Sequence, residues 1–440
     1  MTRMEIKDHK RRTQAYLTEQ VDASGIGMFR CLFGLLLVFS SIRYWLNGWI
    51  DEILLSPKFH FTYYGFSWVQ PWSANIMYIH FLCMIFAATM IMVGYRTRFF
   101  SLIFCFLFTY VELIEKSAYL NHYYLVSLLS FLLILLPSDE NFSIQSNKKG
   151  VVGRYVYIVL QIQVAIVYLY AGIAKINMDW LLEAQPLATW LQAYNHIPII
   201  GHWFSQKWLA YLMSWFGMFF DCTIIFWLLW SKTRWWAYIV LVVFHFSIWI
   251  LFPVGVFSFL MMISATVFFA PDWCRSKKSN TIPIEGRVTL HRFLPYFLIA
   301  HLLIQILLPI RHFLYGNDVN WTEDGFRFAW RVMLIEKVGS LEYRVRADQL
   351  KHEIRISPRK ELTELQYKMI GSQPDMIVQY AHHIKEDYQT KGFTNIRVFA
   401  DSTVWFNART TQSYIRSDVD LSAVDILSDR SSWMVDLQNE

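Results

Sequence analysis

"LFPVGVF", Leu251–Phe257, interrupts an apolar stretch that otherwise runs from 235 to 270. The motif suits either a kink within one helix or a tight turn between two. Flanking charge separates the readings, because Lys and Arg near short spans concentrate on the cytoplasmic side. The N-terminal arm carries Arg3, Lys7, Lys10, Arg11 and Arg12, so it is expected inside. The loops "YRTRF" (Arg96, Arg98), "NKKGVVGR" (147–154) and "SKTRW" (231–235) then also fall inside. A single span over 235–270 would put Arg275, Lys277, Lys278, Arg287 and Arg292 outside; two spans with a turn at Phe252-Pro253 put them inside.

A helix needs ~20 apolar residues to cross a bilayer, or somewhat fewer inside a bundle. The expected fold is therefore a polytopic α-helical membrane protein with about nine transmembrane helices. They are read at 27–46, 76–94, 99–114, 122–137, 155–174, 209–230, 235–252, 255–270 and 293–310. Composition agrees, with 55% hydrophobic and 17% charged residues, and aromatics at 18% suit membrane interfaces. The N-terminus is too charged to read as a cleaved signal peptide. Formal charge is +6 with no basic stripe carrying interleaved aromatics, so no nucleic-acid partner is expected. The five cysteines have no metal or disulfide spacing, so free thiols and no metal are expected.

Beyond about 310 the sequence turns polar. "LEYRVRAD", "KHEIRIS" and, more loosely, "NIRVFADSTVWFN" alternate as strands do, and "SQPDMIVQYAHHIKEDY" has helical spacing. Two domains follow: a transmembrane domain over 1–310, and a small extramembrane α+β domain over 311–440 on the outer face.

This topology brings Lys175, Asn121, His122 and His312 to one interfacial level beneath the soluble domain. Each also has a plainer reading. A lysine at a helix end commonly extends to the headgroups, and an Asn-His pair in a short loop commonly caps a helix. Asp221 and His245 fall mid-span, where ionisable groups are costly. They are expected to pair with each other or with backbone as a structural device, the alternative being a proton relay. Asp179, four residues after Lys175, is assigned a structural role, and Gln161 and Gln163 interhelical hydrogen bonds. A transporter is disfavoured, since no pair of broken helices occupies corresponding halves of the chain.

Several ordered motifs resemble the vitamin K-dependent gamma-glutamyl carboxylase family. They include "MYIHFLCMIFAATMIMVGYR", "LIEKSAYLNHYYL", "IVYLYAGIAKINMDWL", "FHFSIWILFPVGVFSFLMM" with "APDW", and "LLPIRHFLYGNDVNWTEDGFRFAWRVM". "PDMIVQYA", "RVFADSTVWFNAR", "DVDL" and "SSWM" continue the likeness through most of the chain. The resemblance implies that Lys175 is the base that deprotonates vitamin K hydroquinone, with Asn121 and His122 at the reaction centre. It implies that Tyr119, Tyr168, Trp330, Met333 and His312 line the quinone site, Tyr119 standing where the family has tryptophan. The cofactor would be vitamin K hydroquinone from the membrane quinone pool, with O2 and CO2 as co-substrates. A strong base formed during quinol epoxidation would act on a glutamate-containing protein or peptide, and CO2 would trap the carbanion. For Lys175 to serve as base its pKa must fall from ~10.4, as burial in low dielectric arranges.

Phe326 departs from the pattern, occupying a tyrosine position of animal carboxylases; it is read as a position coupling quinol oxidation to carboxylation. The sequence ends at Glu440, shortly after "SSWM", where animal enzymes continue, so propeptide-directed carboxylation is not expected. The cysteine that ties the two parts of animal enzymes together has no match at "VGYR". The length is closer to bacterial members with a horizontally transferred transmembrane domain. The expected location is thus a bacterial inner membrane with the C-terminal domain outside, or alternatively an endoplasmic reticulum membrane. Quinol epoxidation or oxidation without carboxylation is the alternative enzyme. A non-catalytic quinone- or lipid-binding membrane protein is the alternative outside enzymology.

Overall fold

The computed structural model describes residues 3–145, 150–275 and 286–438. Lys148, Lys149, Lys277 and Lys278, counted above among the basic loop residues, lie outside the described residues. After helix α1 (Arg3–Thr18) come α2 (Ser24–Leu46), α3 (Ala74–Val93), α4 (Thr97–Ile114), α5 (Asn121–Leu135) and α6 (Tyr155–Ala174). Then follow α7 (Lys207–Leu229), α8 (Arg234–Leu251), α9 (Phe257–Ala265) and α10 (Leu294–Ile310). Helices α2, α3, α4, α6, α7, α8 and the segment Leu294–Leu314 are long and apolar enough to cross a membrane. The fourth and eighth expected spans are shorter apolar helices, Asn121–Leu135 and Phe257–Phe268. Large apolar side chains stand exposed on the rim, among them Phe106, Phe219, Trp236 and Ile299. Such a surface fits a hydrocarbon solvent and would be a liability in water.

At Leu251–Phe257 the chain turns. Helix α8 ends where Phe252 becomes extended, and Gly255 takes φ +59° before α9 begins at Phe257. The left-handed glycine suits the tight reversal, and a Cβ there would stand 3.3 Å from Arg43 Nη2.

Contacts distant in sequence close the N-terminal end of the bundle. Strand β1 (Gln20–Asp22) pairs antiparallel with β2 (Val151–Gly153). Pro271 O accepts from the Gly25 amide at 2.8 Å, and Tyr157 Oη donates to Asp22 O at 2.9 Å. Arg30 is fully buried beside them, and its guanidinium donates to five backbone carbonyls: Ile91, Met92, Ser138, Asn141 and Phe142. Ile91 and Met92 belong to the last turn of α3, whose carbonyls have no partner within the helix. Gly94, at φ +77°, ends α3 and allows this approach: a Cβ there would lie 2.9 Å from Arg30 Cζ.

The C-terminal region packs a four-stranded antiparallel sheet, in the order β4-β3-β5-β6, against helix α11 (Pro374–Thr390). The strands are β3 (Lys337–Arg346), β4 (Ile354–Ile356), β5 (Arg397–Phe406) and β6 (Gln412–Ser413). Leu341, Tyr343 and Val345 alternate into the core, as the period of two requires. From α11 they meet Met376, Ile377, Tyr380, Ala381 and Ile384, one helical face. Phe61, from the loop between α2 and α3, completes this core.

Ion pairs fasten the sheet region to the bundle. Lys116, between α4 and α5, donates to Asp375 Oδ2 at 2.7 Å, and Arg327 reaches the same oxygen at 2.8 Å. Asp179 is clamped by Arg409 at 2.6 Å and by Asn407 at 2.7 Å. Burial alone would raise the Asp375 carboxyl, but Arg327 and Lys116 outweigh it and hold it well below the usual carboxylate range. A depressed folded-state value means that the unfolded state binds more protons in acid. The stabilisation is therefore complete above pH ~4 and is lost as pH falls below it. Relative to the intrinsic exchange rate at each pH, protection across Pro374–Thr390 is expected to fall below pH ~4 in the wild type but not in Asp375→Asn. Protection factors that stay constant between pH 6 and pH 3 in the wild type would contradict this role.

Candidate functional site

Helix α6 is apolar until its end. Gly172 lets α7 approach closely, since a Cβ there would meet Cys222 N at 2.7 Å. That contact carries Asp221, the residue before Cys222, to Lys175, which caps the α6 C-terminus. Lys175 Nζ donates to Asp221 Oδ2 at 2.8 Å and to Ala171 O at 3.2 Å, and lies 5.3 Å from the Trp180 ring. The two charged side chains are 8% and 9% exposed, so Lys175 does not extend to the surface.

The expected pairing of Asp221 with His245 does not form. Phe220 and Phe244 pack with ring centroids 4.0 Å apart and planes tilted by 32°, and His245 turns to Tyr168, its Nε2 2.7 Å from Tyr168 Oη. His245 Nδ1 is buried and has no hydrogen-bond partner among the described residues. Tyr168, Lys175, Asp221 and His245 line one cavity of about 80 Å³, with Phe252, Phe257, Met261 and Met333 among its apolar walls. Asp179, expected to be structural, binds Arg409 at 2.6 Å. Its role is to hold the loop after α6 to the sheet region.

Asn121 and His122 open α5 in a different, larger cavity of about 560 Å³. Phe257, Val332 and Met333 belong to both linings, so the cavities adjoin across these side chains. The Phe257 ring centroid is 5.9 Å from that of His122 and 5.7 Å from that of His245. The structure thus places Lys175 and His122 in two adjoining cavities that share Phe257, not in one.

Asn121 has both polar atoms engaged: Oδ1 accepts from Tyr119 Oη at 3.0 Å, and Nδ2 donates to Arg331 O at 3.0 Å. Tyr119 Oη also accepts from the Phe328 amide at 2.8 Å. These bonds anchor the segment 323–333, in which Glu323, Phe328, Trp330 and Met333 all adopt positive φ near 55–61°. Non-glycine residues there cost of order 1–2 kcal/mol each, and such strain persists where surrounding contacts impose it. The segment presents Val332 and Met333 to both cavities.

Three residues expected at the quinone site or its coupling position do not line either cavity. Trp330 is buried and stacked on Tyr124 at 5.1 Å. His312 Nε2 lies 3.2 Å from Arg331 Nη2, and its Nδ1 lies 2.9 Å from Pro309 O. Burial pushes the Arg331 guanidinium down to about 10. Phe326 sits in the turn after Glu323, half-buried. Trp330, itself part of the strained segment, thus packs on α5 through Tyr124, and His312 contacts the segment at Arg331. Sequence reasoning missed Arg43, Glu112 and Glu115, which line the larger cavity. Only the unusual placement of charge near the ends of apolar helices could have singled them out.

Comparison with known families gives two matches. The model described as HTTM domain matches residues 18–273, and the one described as vitamin K-dependent gamma-carboxylase, lumenal domain, matches residues 290–440. No solved structure matches the chain.

Proposed function

Since the chain belongs to the vitamin K-dependent gamma-carboxylase family, a membrane-embedded group, we propose that it oxidises vitamin K hydroquinone to the epoxide and carboxylates glutamate in a protein or peptide. The observation that carries this reading is the buried Lys175–Asp221 pair, set in an apolar cavity at a helix end. The residues fit a reduced naphthoquinone: the walls are apolar and aromatic, and His245 Nδ1 offers a polar atom that the protein leaves unmatched. Tyr168, Met333, Phe252 and Phe257 would hold its ring. When bound, the quinol supplies, through its oxidation by O2, the driving force for removing a proton from the glutamyl γ-carbon, to which CO2 adds.

Lys175 Nζ is the proton acceptor for the quinol hydroxyl. One proton shift along its hydrogen bond converts the ammonium–carboxylate pair into amine and carboxylic acid, with zero net charge in either form. The apolar surroundings therefore present an amine without gaining charge. Tyr168 and His245 fix each other's orientation beside it. Phe252, Phe257 and Met333 exclude water, which would quench a strong base. The end of the bundle that carries the C-terminal region is assigned to the outer face of a bacterial inner membrane, because the basic loops gather at the other end.

The test is turnover in lipid with reduced vitamin K, O2, labelled CO2 and a glutamyl peptide, following epoxide and fixed label together. Both products are expected. Epoxide without label would make the protein a quinol oxygenase, and neither product would leave only binding.

A further inference from the structure

The larger cavity contains a guanidinium and a carboxyl group for which the described residues supply no hydrogen bond or ion pair. Arg43, in the last turn of α2, lines it; its guanidinium rests 4.8 Å from the Trp49 ring and makes no hydrogen bond or ion pair among the described residues. Glu112, two residues from the end of α4, lines the same cavity, and its carboxylate likewise has no hydrogen bond or ion pair among them. The two do not pair with each other. His122, only 8% exposed, faces the same space with no hydrogen bond from its ring.

The neighbouring Glu115 shows what a satisfied carboxylate looks like here. It is held by His60, by Gln366 Nε2 at 2.7 Å, and by the amides of Phe61 and Ser117. An unpaired guanidinium and an unsatisfied carboxyl group in an apolar-walled cavity are unfavourable unless a ligand matches them. The matching ligand carries an anionic group for Arg43 and a hydrogen-bond donor for Glu112.

We propose that Arg43 and Glu112 form the receptor for an acidic peptide side chain, with Arg43 gripping the carboxylate and Glu112 accepting a backbone N–H of the same peptide. This rests on the glutamate-modifying reading above and adds the residues that select the glutamate. The planar guanidinium fork fits a carboxylate through two parallel hydrogen bonds. Leu365 and Met369 of the C-terminal region form part of the wall, so the cavity meets the side from which a polypeptide would arrive. The shared wall of Phe257, Val332 and Met333 sets the held side chain next to the lysine cavity.

Binding of a blocked, fluorescent glutamyl tripeptide to the full chain in lipid nanodiscs, against its glutaminyl twin, tests this without any turnover. The wild type is expected to prefer the glutamyl peptide at least tenfold, roughly the effect of one charge-assisted contact. Arg43→Gln should abolish the preference, and Arg43→Lys should retain part of it. In unmodified protein, a photoreactive version of the peptide should label segments 43–55 or 112–123. Equal affinity for the two peptides in the wild type, or an undiminished preference in Arg43→Gln, would overturn the proposal. Labelling confined to the polar groove lined by Lys116, Asp324 and Arg430 would also overturn it, as would a tightly held phospholipid headgroup that the peptide cannot displace. Because the readout is binding, a failure of carboxylation alone leaves this result legible.

Discussion

Replacing Lys175 by alanine is expected to lower quinol-dependent oxygen consumption by at least ~10²-fold, the usual scale for a positioned acid–base group. Stability falls at the same time, for a physical reason. Among the described residues Lys175 and Asp221 have no ionic partner but each other, so either single replacement leaves a buried charge uncompensated. Breaking such a pair costs about 3–5 kcal/mol. A low rate in Lys175→Ala could thus reflect damage to the fold. The double variant Lys175→Met with Asp221→Leu removes both charges and should recover most of the lost thermal stability, since an apolar pair of similar volume is commonly neutral or better. Turnover should stay absent in it. A well-folded Lys175→Ala that oxidises quinol at the wild-type rate would remove the lysine from the chemistry. A double variant no more stable than the singles would show that the two charges are not coupled.

The second large effect belongs to the opposite end of the bundle. Arg30→Met should abolish recovery of folded protein. One guanidinium has five N–H groups, and here all serve carbonyls from two separate segments, the end of α3 and the loop after α5. Each buried acceptor left without a donor costs about 1–3 kcal/mol. Ile91 O keeps the Gly94 amide at 3.1 Å, so four acceptors lose their donor, and together they approach the stability of a typical domain, about 5–15 kcal/mol. Arg30→Lys should fall between, because three donors on one nitrogen cannot span the same ring of oxygens. Size-exclusion profiles and melting temperatures in detergent measure both. A monodisperse Arg30→Met that melts with the wild type would show that water replaces the guanidinium there.

Much of the architecture was legible locally. The apolar runs mark the helices because a bilayer-spanning helix must satisfy its backbone within itself, leaving composition and length as the signal. Pro253 and Gly255 made the break between α8 and α9 readable, and the following basic residues chose the turn over the kink. In the C-terminal region, alternation at Leu341, Tyr343 and Val345 and the face of α11 disclosed strand and helix, since each buries one side against the other.

The sequence by itself determined the apolar helices and, in the C-terminal region, β3, β4, β5 and α11; helix α1 and strands β1 and β2 it did not disclose. It also determined that a lysine, an Asn-His pair and a histidine come to one end of the bundle. Only the tertiary structure decided which of these groups meet. Asp221 is 46 residues from Lys175 and joins it because Gly172 allows two helices to close; Asp179, four residues away, is drawn instead to Arg409. His122 reached the same level but lines a separate, adjoining cavity, whose unmatched polar groups, Arg43 and Glu112, come from two further helices. Helical periodicity reports which face of a helix is apolar. It carries no information about which neighbour that face will meet, because the bilayer and a packed helix are equally apolar surroundings.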